Sequence, residues 1–113
     1  MRADLDATLA ALADPGRRAI VQTLRRGPRR PSEVALALSI TRPAMSRHLK
    51  VLRGAGLVEQ QLLESDGRAK VLRLRPEPLR ALRGWLEEVE GFWSEQLGAF
   101  KAHAEAAHRR GRP

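Results

Sequence analysis

Five polar side chains between residues 41 and 50 have the chemistry needed to bind a phosphate group or the edge of a base. Arg42, Arg47 and Lys50 carry positive charge, and Thr41 and Ser46 carry hydroxyl groups. A guanidinium group can donate two parallel hydrogen bonds to phosphate oxygens or to the acceptor edge of guanine. We therefore expect Arg42 or Arg47 to read a base, and we expect Thr41, Ser46 and Lys50 to contact phosphates, which set register without reading sequence.

Each of these residues also has an interpretation that involves no ligand. Arg47 and Lys50 could form the solvated face of a helix, and Thr41 could only cap that helix, although capping is compatible with a phosphate contact. His48 lies in the same segment and could either contact a phosphate or be packed structurally.

An amphipathic helix over residues 41–53 is predicted to position these side chains. Met45, Leu49 and Leu52 repeat at i, i+4 and i+7, which places them on one face and leaves the polar residues on the other. Thr41 is a good N-cap, and Pro43 fits the first turn, where a missing N–H costs nothing. Pro43 is also predicted to be one of the residues that contact DNA.

A shorter helix is predicted just before this one, from Ser32 to about Leu38. The two are joined by Ser39-Ile40-Thr41, which is too short for anything but a tight turn. Two short helices joined in this way form a helix-turn-helix, whose second helix enters the major groove of DNA. Two more helices precede it, one with Leu5 and Leu9 on its apolar stripe and one that begins at Asp14-Pro15.

The pattern changes to period two after Gly56. Runs from Leu57 to Leu63 and from Arg68 to Leu74 are typical of strands, and Asp66-Gly67 between them predicts a hairpin turn. In the wing formed by residues 64–70, Arg68 and Lys70 could enter the minor groove or touch its phosphates. They could equally serve only to keep the turn soluble. Arg73 and Arg75 have weaker claims, because strand alternation could point them away from DNA.

A long apolar stripe marks the last predicted helix, which follows Pro78. It includes both tryptophans and both phenylalanines of the chain, and its members are Leu79, Leu82, Trp85, Leu86, Val89, Phe92, Trp93, Leu97 and Phe100. The stripe is wider than a small core needs, so we predict a homodimer held by Leu5, Leu9, Trp85, Val89, Phe92, Trp93 and Leu97. Alternatively, the tryptophans fill the core or line a pocket for an apolar effector.

The positive charge of the chain is concentrated in its first two-thirds. Residues 1–76 have a net charge of +8, residues 77–107 have −3, and residues 108–113 add +3. A basic face on a small domain favours nucleic acid as the partner, and next an acidic protein. An arginine-rich codon usage could account for part of the excess.

Several classes of protein are excluded or disfavoured by composition. The 113 residues contain no cysteine, which excludes thiolate metal sites and cysteine nucleophiles. We expect no membrane span and no secretory signal, because no apolar run approaches about 20 residues, and we therefore expect a cytoplasmic protein. Ser46 and His48 have no third, acidic group to orient them on their helix, so the chain is not predicted to be an enzyme.

The predicted fold is mainly α with a β-hairpin wing, an α+β winged helix-turn-helix. Its element order is four helices, two strands and a final helix. Residues 1–105 are expected to form a single DNA-binding and dimerisation domain, and residues 106–113 a disordered basic tail.

Two segments carry a resemblance to a known family. They are LADPGRR at residues 12–18 and TRPAMSRHLKVLRGAGLV at residues 41–58. With them the chain resembles the ArsR/SmtB family of bacterial transcriptional repressors from about Leu5 to Phe100. The resemblance implies a homodimer that binds a palindromic operator in double-stranded DNA with residues 41–50 and blocks transcription. Members usually carry Gln-Pro where this chain has Arg42-Pro43, so a base preference does not transfer.

The resemblance also bears on metals. Well-known members bind metal through cysteines, which are absent here, or through Asp, His and Glu ligands on the last helix. His103 and His108 are five residues apart, which separates them around a helix, and the family's Asp-x-His pattern is absent. We therefore expect no metal and no cofactor. The chain looks more like the metal-independent branch, in which Trp85-Leu86 and Phe92-Trp93 are familiar features, and any small-molecule effector stays unidentified.

Two functions remain open from the sequence. The first is a sequence-specific, homodimeric repressor that binds DNA through the helix at 41–53 and the wing. The alternative is a basic architectural protein that binds DNA or RNA without sequence preference. The chain has no aromatic side chains outside the last helix on which bases could stack, which disfavours this alternative.

Overall fold

Five helices and one β-hairpin make up the part of the chain that the structure describes. This computed structural model covers residues 2–63 and 66–110, and the side chains of these except at 2, 3, 63, 66–68, 109 and 110. The elements are α1 (Arg2–Leu12), α2 (Pro15–Leu24), α3 (Pro31–Ala37), α4 (Arg42–Gly54), β1 (Val58–Leu63), β2 (Asp66–Leu74) and α5 (Glu77–Arg110). This order confirms the predicted winged helix-turn-helix.

The chain divides into two compact units, Met1–Leu82 and Arg83–Pro113. The first unit holds the helix-turn-helix, the hairpin and the first residues of α5. The second unit consists of the rest of α5 and the residues after it. The single domain expected over residues 1–105 stays a prediction.

Capping residues set where α2 and α4 begin. The side chain of Asp14 accepts a hydrogen bond from the backbone N–H of Arg17, and Pro15 occupies the first position of α2. Thr41 plays the same part for α4, where its hydroxyl oxygen accepts a hydrogen bond of 3.4 Å from the N–H of Ala44. Both caps agree with the sequence, since short oxygen-bearing side chains satisfy the free N–H groups of a first turn.

The turn between α3 and α4 reverses the chain within a few residues. Ser39 adopts a φ of 54°, in the left-handed region that non-glycine residues seldom occupy. The N–H of Ile40 then bonds to the carbonyl oxygen of Ala35 at 2.9 Å, closing the end of α3. The backbone of the turn therefore fixes the direction in which α4 leaves α3.

The core of the first unit is built around the inner face of α4. The predicted stripe of Met45, Leu49 and Leu52 is buried, and Ile20 of α2 and Leu72 of β2 are fully buried with it. Burying a large aliphatic side chain contributes roughly 1.5–3 kcal/mol to the free energy of folding. Because the buried residues of α4 all lie on its inner face, the core holds this helix from that side only.

The stripe predicted for α1 differs from the face that the unit buries. Thr8 and Ala11 are the buried residues of α1, and the hydroxyl of Thr8 donates to the carbonyl oxygen of Asp4 at 2.9 Å. Leu5 is only half-buried and Leu9 is exposed. Small side chains at positions 8 and 11 let α1 approach its neighbours closely, and the leucines lie to the side.

The hairpin turn predicted at Asp66-Gly67 is wrong. Both residues belong to β2, and Asp66 pairs with Leu63. The register shifts between Leu62, which pairs with Lys70, and Leu63. Such a bulge lengthens one strand relative to the other, so β2 begins earlier than the Asp-Gly signal predicts. Residues 64 and 65 of the predicted wing lie outside the described residues.

The final helix begins at Glu77, between Pro76 and Pro78, where the sequence predicts its start, and it continues to Arg110. Residues 106–110 are thus helical, although the sequence predicted a disordered tail from residue 106. Straight-chain residues and alanine are strong helix formers, and this stretch contains Ala106, Ala107, Arg109 and Arg110. Residues 111–113 lie outside the described residues.

Candidate nucleic-acid interface

The outer face of α4 presents a row of polar side chains opposite the core. Arg42, Ser46, Arg47 and Lys50 are exposed, as is Pro43 in the first turn. The arrangement follows from the sequence, because Met45 and Leu49 turn inward and the helical period turns these residues outward.

The positive charges on this face are not neutralised within the chain. Among the described side chains, no carboxylate lies within 4.0 Å of Arg42, Arg47 or Lys50. Their donors point to solvent and can bind an anion without first breaking an ion pair. Thr41 is exposed as well, and its oxygen is engaged as the cap of α4.

His48 occupies a different place from the rest of the predicted set. Its side chain is 21% exposed, and its Nδ1 atom lies 3.9 Å from Oδ2 of Asp14 at the start of α2. The imidazole is therefore packed beside the N-terminus of α2, while its neighbour Arg47 is exposed. The sequence left open whether His48 was packed or facing a ligand.

The wing brings a further cation close to α4. Lys70 is exposed on β2, whereas the side chain of Arg68 lies outside the described residues. Arg73 and Arg75 are partly neutralised, since Glu59 lies 3.5 Å from Arg73 and 3.9 Å from Arg75. These ion pairs agree with the sequence analysis, which considered Arg73 and Arg75 to be weaker candidates for contact with DNA.

A groove of about 860 Å³ lies between α3, α4 and β2. Its lining includes Arg42 and Ser46 of α4 and Lys70 of β2, together with Arg30 and Ser32 at the start of α3. None of its lining residues is acidic. Arg30 and Ser32 were not in the predicted set. Arg30 immediately precedes Pro31, the first residue of α3, and its Nε atom lies 4.0 Å from Oε1 of Glu33.

In the second unit, the apolar residues of α5 are largely exposed in the single chain. Phe92 and Trp93 are each 60% exposed and Leu97 is 61% exposed, while Trp85 and Val89 are exposed by about two-fifths. Residues 85, 89, 93 and 97 are four apart and therefore share one side of the helix. A contiguous exposed apolar surface of this kind marks an interaction site.

Metal-binding clusters and membrane-spanning helices are both absent from the described part of the chain. No three His, Asp or Glu side chains there come together as a metal-binding group. No helix in the same residues is long and apolar enough to cross a membrane.

Comparison with known proteins gives consistent results. Residues 14–60 match a family model described as bacterial regulatory protein, arsR family. The chain is 41% identical over 95 residues to the HTH-type transcriptional regulator Rv2034 of Mycobacterium tuberculosis, covering 84% of this chain and 83% of that protein. Over a shorter stretch of 66 residues it is 44% identical to the HTH-type transcriptional repressor SmtB of Mycobacterium tuberculosis, covering 58% of this chain and 47% of that protein.

Solved structures agree with these sequence relatives. An ArsR-like transcriptional regulator from Rhodococcus sp. RHA1 superposes with a TM-score of 0.76 at 32% identity, covering 91% of this chain and 94% of that one. The matched segment 14–60 begins at the cap of α2 and contains the whole helix-turn-helix.

The N-cap of α2 makes stability depend on pH. The pKa of Asp14 is lowered from its ordinary value of 3.8, chiefly because the carboxylate accepts the hydrogen bond from the backbone N–H of Arg17. Partial burial raises this pKa, and the charges of Arg17 and His48 lower it. An acid whose pKa is lowered by folding stabilises the fold above its unfolded pKa and loses that contribution as the pH falls through the folded pKa.

We therefore expect Asp14→Asn to flatten the acid side of the stability profile. Asparagine caps helices about as well as aspartate but does not titrate. The urea midpoint of the natural chain should fall more steeply between pH 5 and pH 3 than that of the variant. Parallel profiles measured by circular dichroism would contradict this role of the Asp14 carboxylate.

Proposed function

Because the chain belongs to the arsR family of bacterial regulatory proteins and is accordingly a DNA-binding transcriptional regulator, we propose that it is a homodimeric repressor of transcription. In this proposal each subunit places α4 in the major groove of a palindromic operator and the wing on the flanking DNA. The observation that carries the proposal is the outer face of α4, where Arg42, Arg47 and Lys50 stand exposed and without a carboxylate partner among the described side chains.

The charge of the groove between α3, α4 and β2 supports the same proposal. Its basic lining suits a sugar–phosphate backbone that passes between α4 and the wing. Arg42 and Lys70 have no carboxylate within 4.0 Å among the described side chains, whereas Arg30 would exchange its exposed 4.0 Å pair with Glu33 for a phosphate. Arg30 and Ser32 join Thr41, Arg42, Pro43, Ser46, Arg47, Lys50, Arg68 and Lys70 as proposed contacts. Neutralising several phosphates makes the affinity fall steeply with salt.

The proposed dimer is supported by the apolar residues that the single chain leaves exposed. Trp85, Val89, Phe92, Trp93 and Leu97 of α5 would pack against the partner, and Leu5 and Leu9 of α1 would add to the contact. Two-fold symmetry then repeats the DNA contact at half-sites about 34–36 Å apart, one turn of the duplex.

Selection of bound sequences from a random DNA pool tests the proposal as a whole. We expect the selected sites to be palindromic, with half-sites about 10 base pairs apart. Uniform recovery of unrelated sequences would instead favour the non-specific architectural protein. Catalysis forms no part of the proposal, since family members and relatives are regulators.

Arg47→Ala is expected to relax the base preference at one position of each half-site. A bidentate contact between arginine and guanine discriminates against the wrong base by about 1–3 kcal/mol. Fluorescence anisotropy with the selected duplex and its single-base variants measures this. Arg83→Ala is the matched control, because Arg83 is paired with Glu87 at 3.0 Å on α5. An even loss of affinity over all duplexes would make Arg47 a phosphate contact.

Trp93→Ala is expected to shift the dimer towards the monomer. Large aromatic side chains at the centre of an interface often contribute at least about 2 kcal/mol, so the dimer dissociation constant should rise by roughly 30-fold. Sedimentation equilibrium over a dilution series measures this. Leu36→Ala is the control, because Leu36 is exposed on α3. An unchanged mass at low concentration would contradict the proposed interface.

We also propose that operator binding is independent of metal. The absence of cysteine from the sequence and the five-residue spacing of His103 and His108 support this. The dissociation constant for the selected duplex should then agree within about twofold with added zinc and with a chelator. A tenfold difference, about 1.4 kcal/mol of binding free energy, would contradict the proposal.

A further inference from the structure

The segment formed by residues 14–18, called here the 14–18 segment, contacts three helices at once. At its start Asp14 caps α2, with Oδ2 accepting a hydrogen bond of 3.0 Å from the N–H of Arg17. A cap alone requires only an oxygen-bearing side chain at this position. The remaining contacts of the segment go beyond what capping requires.

Two arginines of the segment bind the end of α1. Nε of Arg17 donates to the carbonyl oxygen of Ala11 at 2.7 Å, and its Nη2 donates to that of Ala10 at 3.2 Å. Nη1 of Arg18 donates to the carbonyl oxygen of Leu12 at 2.8 Å. The last carbonyl groups of a helix lack partners within it and carry partial negative charge, so guanidinium donors fix the end of α1 to the start of α2.

The carboxylate of Asp14 also faces α4. Nδ1 of His48 lies 3.9 Å from Oδ2, which is too long for a hydrogen bond but close enough for attraction to a protonated imidazole. The imidazole is mostly covered, with 21% exposure, whereas the carboxylate of Asp14 is 35% exposed and partly in contact with water. The pair joins the start of α2 to the middle of α4.

Gly16 leaves the space in which this pair sits. A Cβ atom at position 16 would lie 3.0 Å from both Asp14 Oδ2 and His48 Nε2, a separation that requires one of the two side chains to move. By contrast, a Cβ atom at Gly54, near the end of α4, would meet nothing within 4 Å. The backbone of the 14–18 segment and the imidazole therefore fit together closely.

We propose that Asp14 and His48 are positioning residues for DNA binding, which rests on the function proposed above. Through this pair the 14–18 segment sets the rotation of α4 about its axis relative to α1 and α2. Arg47 immediately precedes His48 on α4 and is exposed, so a rotation of α4 that moved His48 away from Asp14 would also re-aim Arg47. His48 would then affect the affinity for DNA without contacting the DNA.

A double-mutant cycle separates this role from direct contact of His48 with a phosphate. The probe is the duplex that the natural chain selects, and the readout is its dissociation constant. We expect His48→Ala to weaken binding about tenfold, equivalent to about 1.4 kcal/mol, and Asp14→Asn about fivefold. The double variant should bind no more weakly than His48→Ala.

The opposite outcome is equally definite. If His48 contacts a phosphate, Asp14→Asn leaves the affinity unchanged, the two effects multiply, and His48→Ala lowers the slope of log affinity against log salt by about 1. Any of these three results overturns the positioning role. Urea unfolding of each variant establishes that the chains compared are folded at the assay temperature.

Gly16→Ala supplies a second route to the same pair. Its new methyl group should displace His48 or Asp14 and weaken DNA binding by about the same factor as Asp14→Asn. Alanine favours helix over glycine, so α2 should not lose stability from the change itself. Gly54→Ala is the matched control and should bind as the natural chain does. Equal binding by both glycine variants would contradict the proposal.

Native-state hydrogen exchange tests the positioning role without DNA. We expect amides of α4 to exchange at least tenfold faster in Asp14→Asn and in His48→Ala, after correction for the change in global stability. Unaltered exchange of α4 would overturn the proposal even if the chain binds an operator. If the natural chain selects no DNA sequence, the proposed function fails, and this measurement still decides the role of the pair.

Discussion

A helix that is buried on one side and exposed to a ligand on the other is the constraint on which this structure depends. The inner side of α4 is held by Met45, Leu49 and Leu52, which are all in the core. Its outer side carries cations that gain nothing from the fold. Because apolar packing is non-directional, the core alone permits small rotations of α4. Directional contacts limit that freedom, with the Thr41 cap at the start of α4 and the Asp14–His48 pair at its middle.

The described arginines fall into two groups, those that have a partner within the fold and those that are free to bind a ligand. Arginines that have a structural partner are found where helices or strands meet, such as Arg17 against α1 and Arg73 against Glu59. Arg42 and Arg47, which have no carboxylate nearby among the described side chains, lie on the exposed face of α4. Net charge alone does not distinguish these two groups. The partner of each arginine does, because an ion pair must be broken before the same guanidinium can bind a phosphate.

The sequence was sufficient to predict the elements whose signals are local. The caps at Asp14 and Thr41 and the buried stripe of α4 depend on neighbours within two turns, and the structure confirms them. The hairpin turn was wrong because the register of β2 is set by pairing with β1, and an Asp-Gly pair can lie inside a bulged strand. The place of His48 could not be predicted, since Asp14 lies far away along the chain. The sequence analysis did not predict the buried face of α1, because that face includes the polar residue Thr8. Its hydroxyl group can be buried because it donates a hydrogen bond to the carbonyl oxygen of Asp4.

The exposed aromatic residues of α5 have a consequence for how the level of such a protein acts in a cell. In the proposed dimer, Trp93 and Phe92 are stabilised when a second copy covers them, so assembly obeys mass action. Below the concentration at which half of the chains are paired, the number of DNA-competent pairs rises with the square of the number of chains. While most chains are monomers and the DNA sites are far from saturated, halving the expression of the protein would release about three-quarters of its bound sites, a steeper response than an independent monomer gives.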